Sequence, residues 1–360
     1  KIQFGKIPIM LKSCICTLKQ YNFLHHDQVD ECKMDPGGYF IINGSEKTCL
    51  GQEKAADNKI YVFQSKKHNK WSHTAEMRCV PYWKVISPKQ VYMMISSKQE
   101  RSGYSIHVMI PKLKKPIPLF ILFRALGVLT DRDICKCILL NLTTEKSKKI
   151  LKFMKGCMES THEFIEQNEC IHFVKSCVIY TPINMTQEEG EKKKIDFTHD
   201  ILNHDLFPNC KTKKEKIQLL GFMANKLISC RLGYTKPDDR DSYENKRIEL
   251  TGSLLNNLFR NYFNKVVKDI QKLVVREINN GSWKSSEDHL NIINLTNIYK
   301  IVKSSTIENG LKRALSTGDF GIKQLNSNKV GVAQVLSRLT YPSTLSHLRR
   351  ISTPIDKSGK

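Results

Sequence analysis

The chain has 360 residues with 58 Lys and Arg against 35 Asp and Glu, a formal net charge of +23, and 40% of its residues are hydrophobic. This length allows two or three domains with cores of their own, and the composition excludes wholesale disorder. The charge bears on partners rather than fold, favouring nucleic acid over an anionic membrane. The longest apolar run, Ile117-Pro-Leu-Phe-Ile-Leu-Phe123, is far short of the ~20 residues that cross a bilayer.

In chain order, residues 1–84 are expected to be mostly strand. Gly37-Gly38 mark a turn ahead of Tyr39-Phe-Ile-Ile42, and Asn43-Gly44 supply a hairpin turn because both residues tolerate positive φ. The β-branched and aromatic run Ile60-Tyr-Val-Phe63 predicts another strand. Val91-Tyr-Met-Met-Ile95 and Tyr104-Ser-Ile-His-Val-Met-Ile110 predict two antiparallel strands joined by a polar turn. Pro111-Lys-Leu-Lys-Lys-Pro-Ile-Pro118 reads as a basic, proline-rich connector.

From Phe120 the pattern turns helical, and Leu151, Met154 and Met158 share a face at spacings of three and four. Thr186 to Lys194 reads as a charged loop, and Asp200 to Asn209 as an exposed approach to the next helix. Lys213 to Ser229 predicts a helix with Ile217, Leu220, Met223 and Leu227 on one stripe. Leu250 to Glu277 is the clearest helix, with Leu254, Leu258, Phe259, Phe263 and Val266 recurring at helical spacing and Asn279-Asn-Gly281 stopping it. No internal repeat occurs at solenoid periods. Taken alone, the pattern suggests a β-rich front and a helical back.

Most of the chemically suggestive clusters have plainer explanations. The twelve cysteines include C-x-C pairs at Cys14/Cys16 and Cys135/Cys137 but no C-x-x-C. Reduced, partly buried thiols are favoured over disulfides or zinc, and Cys14, Cys16, His26 and Cys32 form the one conceivable zinc arrangement. Gly37-Gly38 fits no phosphate-loop pattern. His162-Glu163 with Glu166 lacks the second histidine of a zinc protease and reads as a surface helix. Asp238, Asp239 and Asp241 around Arg240 could ligate magnesium, but a helix start with carboxylates at the positive dipole end is favoured.

Positive charge far outnumbers negative charge in residues 311–360. Lys312, Arg313, Lys323, Lys329, Arg338, Arg349, Arg350, Lys357 and Lys360 stand against only Asp319 and Asp356. Such density suits a phosphate backbone, which carries one charge per ~1.7 Å of duplex axis. A solvated lysine-rich surface is the competing reading.

The wording of this stretch goes further than its charge. Leu315-Ser-Thr-Gly-Asp-Phe-Gly321, Gly331-Val-Ala-Gln-Val-Leu-Ser-Arg338 and Ser343-Thr-Leu-Ser-His-Leu-Arg-Arg350 followed by Thr353-Pro-Ile resemble the fork region in the second-largest subunit of multisubunit DNA-directed RNA polymerases. Ile7-Pro-Ile-Met-Leu-Lys-Ser13, Gly37 to Lys47, Phe123-Arg-Ala-Leu-Gly-Val128 with Asp131-Arg-Asp133, and Asp238 to Arg247 agree in the same order. The Gly37 to Lys47 block is most similar to the eukaryotic messenger-synthesising class, and the abundance of Lys, Asn and Ile also suits a giant-virus homologue.

The resemblance implies an α+β, multidomain fold. A mixed sheet-and-helix protrusion (1–84 and 240–305) would hold an inserted lobe domain (85–239), followed by a helical fork segment (306–360). It implies a role in template-directed RNA synthesis, with nucleic-acid contacts expected from Lys323, Lys329, Gln334, Arg338, His347, Arg349, Arg350 and Lys357. Lys329 stands where many members have arginine, which keeps the charge but loses the planar fork. No catalytic residue and no cofactor is assigned to this chain. Magnesium would belong to the complete enzyme and zinc to a carboxy-terminal part, since both chain ends read as interior points of a longer polypeptide. Implied partners are the largest and smaller polymerase subunits, template DNA and nascent RNA, and no membrane. The implied location is the nucleus for a cellular enzyme, or a virion or cytoplasmic factory for a viral one. A stand-alone basic nucleic-acid-binding module and a non-catalytic assembly fragment are the alternatives.

Overall fold

The computed structural model describes residues 3–20, 30–65, 69–83, 86–99, 103–181, 186–280, 298–321 and 329–353. The fold is 46% helix and 17% strand, in separate helical and sheet layers, as expected of an α+β protein. Packing divides the chain into residues 1–54 with 246–360, and residues 55–245.

The first unit begins with a single helical turn, α1 (Thr17–Gln20), before β1 (Phe40–Ile42), β2 (Ser45–Cys49) and β3 (Gly51–Ala55). Asn43 and Gly44 take positive φ (50° and 76°) and put Ile42 opposite Ser45, the tight hairpin that an Asn-Gly pair favours. The described residues ahead of β1 are irregular apart from α1, contrary to the expectation of strand. Pro8, Pro36 and the interspersed lysines leave no alternating apolar face there.

The second unit is built on the antiparallel sheet β4 (Ile60–Gln64), β5 (Trp71–Cys79), β6 (Lys89–Ser96), β7 (Ile106–Met109) and β8 (Ile117–Pro118), in that spatial order. Alternate residues His73, Ala75, Met77 and Cys79 of β5, with Val91, Met93 and Ile95 of β6, are buried, so one sheet face forms the core. The proline-rich connector thus ends as an edge strand, the one sheet position where Pro118 removes no needed donor. Six helices follow: α2 (Leu119–Ala125), α3 (Asp131–Leu139), α4 (Glu145–Glu159), α5 (Gln167–Ser176), α6 (Gln187–Asp200) and α7 (Lys213–Arg231). Every residue of α2 is buried, and α7 turns Leu220, Met223, Ala224 and Leu227 inward.

Four details of this unit depart from the sequence expectation. The inward face of α4 centres on Ile150, Met154 and Cys157, with Leu151 and Met158 at its rim. The charged segment after Thr186 is helix α6, not a loop. Its Glu188, Glu189 and following lysines are good helix formers, with acids at the positive dipole end, although no apolar stripe marks them. Residues 201–205 form a buried π-helical turn instead of an exposed approach. Ile201, Leu202, Leu206 and Phe207 enter the core, and Lys89 and Lys112 each hold the Asp205 carboxylate at 2.7 Å. His162 and Glu163 lie in a turn after α4, and Glu166 precedes α5, so no surface helix carries them.

The chain returns to the first unit through β9 (Lys246–Glu249), α8 (Thr251–Asn279), α9 (Ile298–Ile301), α10 (Ser305–Thr317), β10 (Ala333–Val335), α11 (Tyr341–Leu348) and β11 (Ile351–Ser352). Two small sheets form, in the orders β1-β2-β10 and β11-β3-β9. Phe40, Ile42, Cys49 and Ala333 on one face of the first sheet join Leu254, Leu258 and Val266 of α8 and Ile307, Leu311, Ala314 and Leu315 of α10 in a single core.

Candidate nucleic-acid interface

The basic strip begins where α10 ends. Gly318 takes φ 75°, and a Cβ there would lie 2.5 Å from the Ala333 carbonyl oxygen, so only glycine fits. Its carbonyl accepts the Val332 N–H at 3.0 Å, and Phe320 N–H donates to the Lys329 carbonyl at 2.8 Å. These bonds tie Gly318 to Val332 and Phe320 to Lys329. Lys323 and Lys357 lie outside the described residues. The Lys329 ammonium is 2.5 Å from Glu249 Oε2, a buried carboxylate that also accepts from Asn257 at 2.9 Å.

Gln334 sits in the centre of β10 opposite Thr48 of β2, on the sheet face away from the core. That face is covered by α11, which Thr340 starts by accepting the Ser343 N–H and Pro342 stabilises by fixing φ in the first turn. Thr344 and His347 of α11 are buried. Ser337 N–H donates to His347 Nδ1 at 3.1 Å, so that nitrogen carries no proton, and Nε2–H donates to Gln334 Oε1 at 3.1 Å. His347 is therefore the neutral Nε2–H tautomer. Burial, and secondarily the Arg350 charge, hold its pKa below the ordinary histidine value. Gln334 Nε2 donates to the Gly331 carbonyl at 3.2 Å.

Arg338 is engaged within the unit. Its Nε and Nη2 grip Glu46 at 2.8 and 2.9 Å, Asp35 lies 3.6 Å from Nη2, and the guanidinium stands 4.9 Å from the Tyr39 ring centre. The hydrogen bonds from Arg338 lower the Glu46 pKa, and the Glu46 carboxylate raises that of Arg338. Tyr39 donates to Asp35 at 2.7 Å, and burial followed by that bond raises its pKa.

Arg349 and Arg350 are exposed and form no side-chain ion pair with a described residue. Their backbone is pinned where α11 gives way to β11: Arg350 N–H donates to the His347 carbonyl at 3.3 Å, and the Arg350 carbonyl accepts from Gly51 at 3.2 Å. The fold thus joins Gln334 of β10 to His347 of α11, places Arg338 between those two elements and Arg349 and Arg350 just after α11, and joins Lys329 to Glu249 of β9. Sequence reasoning missed Glu46, Asp35 and Glu249, the carboxylates that occupy two of the cations. Glu46 lies 292 residues from Arg338, and no local pattern announces the pair.

The other candidate clusters have internal partners. Asp238 accepts the Val62 N–H and the Lys226 ammonium, each at 2.8 Å, while Arg240 meets Glu76 at 3.0 Å and stacks on Phe63. This is a loop bracing β4, not a helix start. A cavity of about 280 Å³ is lined by His204, Lys211, Lys213 and Lys216, but Lys216 already serves the Leu202 and Asn203 carbonyls at 2.9 and 2.6 Å. Cys14 and Cys32 are exposed and Cys16 buried, while His26 lies outside the described residues. Among the described residues, no group of three or more His, Cys, Asp or Glu could hold a metal, and no helix is long and apolar enough to cross a membrane.

Residues 56–249 match the family model described as RNA polymerase Rpb2, domain 2. The chain is 35% identical over its whole length to DNA-directed RNA polymerase II subunit 2 of Arabidopsis thaliana, covering 29% of that protein. Identity is 31% to DNA-directed RNA polymerase subunit 2 of Acanthamoeba polyphaga mimivirus, over 98% of this chain and 29% of the relative. It is 30% to subunit Rpo2 of Saccharolobus solfataricus, over 98% of this chain and 28% of the relative. The chain spans under a third of the length of these relatives. It belongs to the RNA polymerase Rpb2 family, with residues 56–249 as domain 2.

Proposed function

We propose that the chain is part of the second-largest subunit of a DNA-directed RNA polymerase, and that residues 318–353 present a backbone-reading face to an RNA–DNA hybrid and the transcription bubble. One observation carries this reading: the described cations of the strip fall into two groups. Lys329 and Arg338 are spent on Glu249 and Glu46, whereas Arg349 and Arg350 stand exposed together, without a carboxylate among the described residues. Adjacent guanidinium forks suit phosphates, and contacts to the backbone rather than the bases suit an enzyme that accepts every sequence. The relatives, which are RNA polymerase subunits, support the same assignment.

On this reading, the inserted lobe (85–239) falls within the unit of residues 55–245, and the protrusion and fork account for the remaining chain. The reaction is attack of the RNA 3′-hydroxyl on an incoming nucleoside triphosphate. This chain shapes one side of the cleft and holds the hybrid, while catalytic groups come from elsewhere in the assembly. Magnesium supplies charge stabilisation in such enzymes, but no group of three or more His, Cys, Asp or Glu among the described residues could hold it, and Asp238 and Glu76 are already paired with Lys226 and Arg240. The largest and smaller polymerase subunits are the protein partners, and the nucleus or a viral factory is the site of action.

The test compares the full chain with its Arg349→Ala/Arg350→Ala variant on a short labelled RNA–DNA hybrid at several salt concentrations. The variant binds more weakly, and the slope of log affinity against log salt shrinks by about 2, one unit per lost phosphate contact. Its melting temperature stays near that of the parent, because both side chains are exposed. An unchanged slope refutes the reading.

A further inference from the structure

We infer that His347 is a positioning residue for the hybrid-facing strip, one that fixes which end of the Gln334 carboxamide is presented to nucleic acid. The inference rests on the reading above and concerns how the strip is held. An amide side chain is nearly symmetric in shape, so only its partners determine where the oxygen and the nitrogen lie. At Gln334 both ends are specified. Oε1 accepts from His347 Nε2 at 3.1 Å, and Nε2 donates to the Gly331 carbonyl at 3.2 Å. One Nε2 hydrogen remains on a half-buried side chain, so Gln334 offers a donor. It therefore suits the acceptor atoms that all four nucleotides share, such as phosphate and sugar oxygens, and tolerates any sequence.

His347 can impose this orientation because its own tautomer is set. The residue is only 5% exposed, and the Ser337 N–H occupies Nδ1 at 3.1 Å, which leaves the proton on Nε2. Ser337 is held in turn, since its carbonyl accepts Thr344 Oγ1 at 2.7 Å and its hydroxyl meets Ser343 at 2.8 Å. The His347 carbonyl also accepts the Arg350 N–H at 3.3 Å. That backbone bond would persist with any residue at 347, so the imidazole itself orders the glutamine alone. With the ring buried and both nitrogens used, His347 acts through Gln334 and does not itself contact the ligand.

A double-mutant cycle on hybrid affinity, using the full chain, tests this. Gln334→Ala and His347→Leu each weaken binding about fivefold, the factor carried by one net hydrogen bond. The combined variant is no weaker than Gln334→Ala alone. His347→Gln, which keeps one donor and one acceptor, restores most of the affinity lost in His347→Leu. Thermal melts confirm that each variant is folded, and His347→Met replaces His347→Leu if the latter is not. Two independent losses multiplying to about 25-fold overturn the inference, as does wild-type binding by His347→Leu when Arg349→Ala/Arg350→Ala binds weakly. Equal affinity of wild type and the double-arginine variant removes the functional reading itself, and this inference with it.

Discussion

His73 and His347 show how burial sets the behaviour of single residues. Both residues lie at 5% exposure, His73 Nδ1 has no hydrogen-bond partner among the described residues, and desolvation lowers both pKa values from 6.5. The Arg231 charge adds to the effect at His73. A depressed basic pKa means that the unfolded chain takes up protons first as the pH falls. Stability is therefore full above about pH 6.5 and declines below it. The expected outcome is a melting temperature that is level near neutrality and drops on acidification, with a shallower drop in His73→Phe. Parallel pH profiles for wild type and that variant would show that His73 contributes nothing to the decline.

Among the elements, close helix contact is set by missing side chains as much as by present ones. Gly310 of α10 faces Tyr262 of α8, and a Cβ at position 310 would come within 2.5 Å of Tyr262 Cε1 and 2.6 Å of Cδ1 and Cζ. Gly310→Ala, favourable in an open helix, therefore forces the tyrosine out of the core and costs about 1–3 kcal/mol. Denaturant unfolding measures this, and pairing it with Tyr262→Ala recovers part of the loss if the clash is its cause. The α8 periodicity was readable because Leu254, Leu258 and Val266 recur on one face. Helix α6 was not, because its residues are mostly polar and leave no apolar stripe to read. The buried turn after it depends on Lys89 and Lys112, both more than 90 residues earlier in the chain.

Across the whole molecule, the core from Ile60 to Cys230 draws only on residues of the second unit. Residues 55–245 expressed alone are expected to melt in one cooperative transition. Within this unit Arg124 is 3% exposed and fully engaged. It donates to the Thr161, Phe164 and Leu129 carbonyls at 2.6, 2.8 and 3.3 Å and pairs with Asp131 at 2.5 Å. Arg124→Met strands these carbonyls and destabilises the unit by about 3 kcal/mol. The midpoint of the same transition reports that loss, and an unshifted midpoint would deny the arginine its bracing role. The motif Phe123-Arg-Ala-Leu-Gly-Val128 marked this position without revealing that the charge is internal.

The sequence by itself determined the α+β class, the Asn43-Gly44 hairpin, the long amphipathic helices and the family, because these rest on local propensity, periodicity and collinear motifs. Only the tertiary structure sorted the basic strip into braces and cations with no carboxylate partner among the described residues. Arg338 belongs to Glu46, Lys329 to Glu249 and His347 to Ser337 and Gln334, whereas Arg349 and Arg350 remain open to solvent. Glu46 and Glu249 come from distant strands, and Coulomb attraction and hydrogen bonding depend on distance in space, which spacing along the chain does not report.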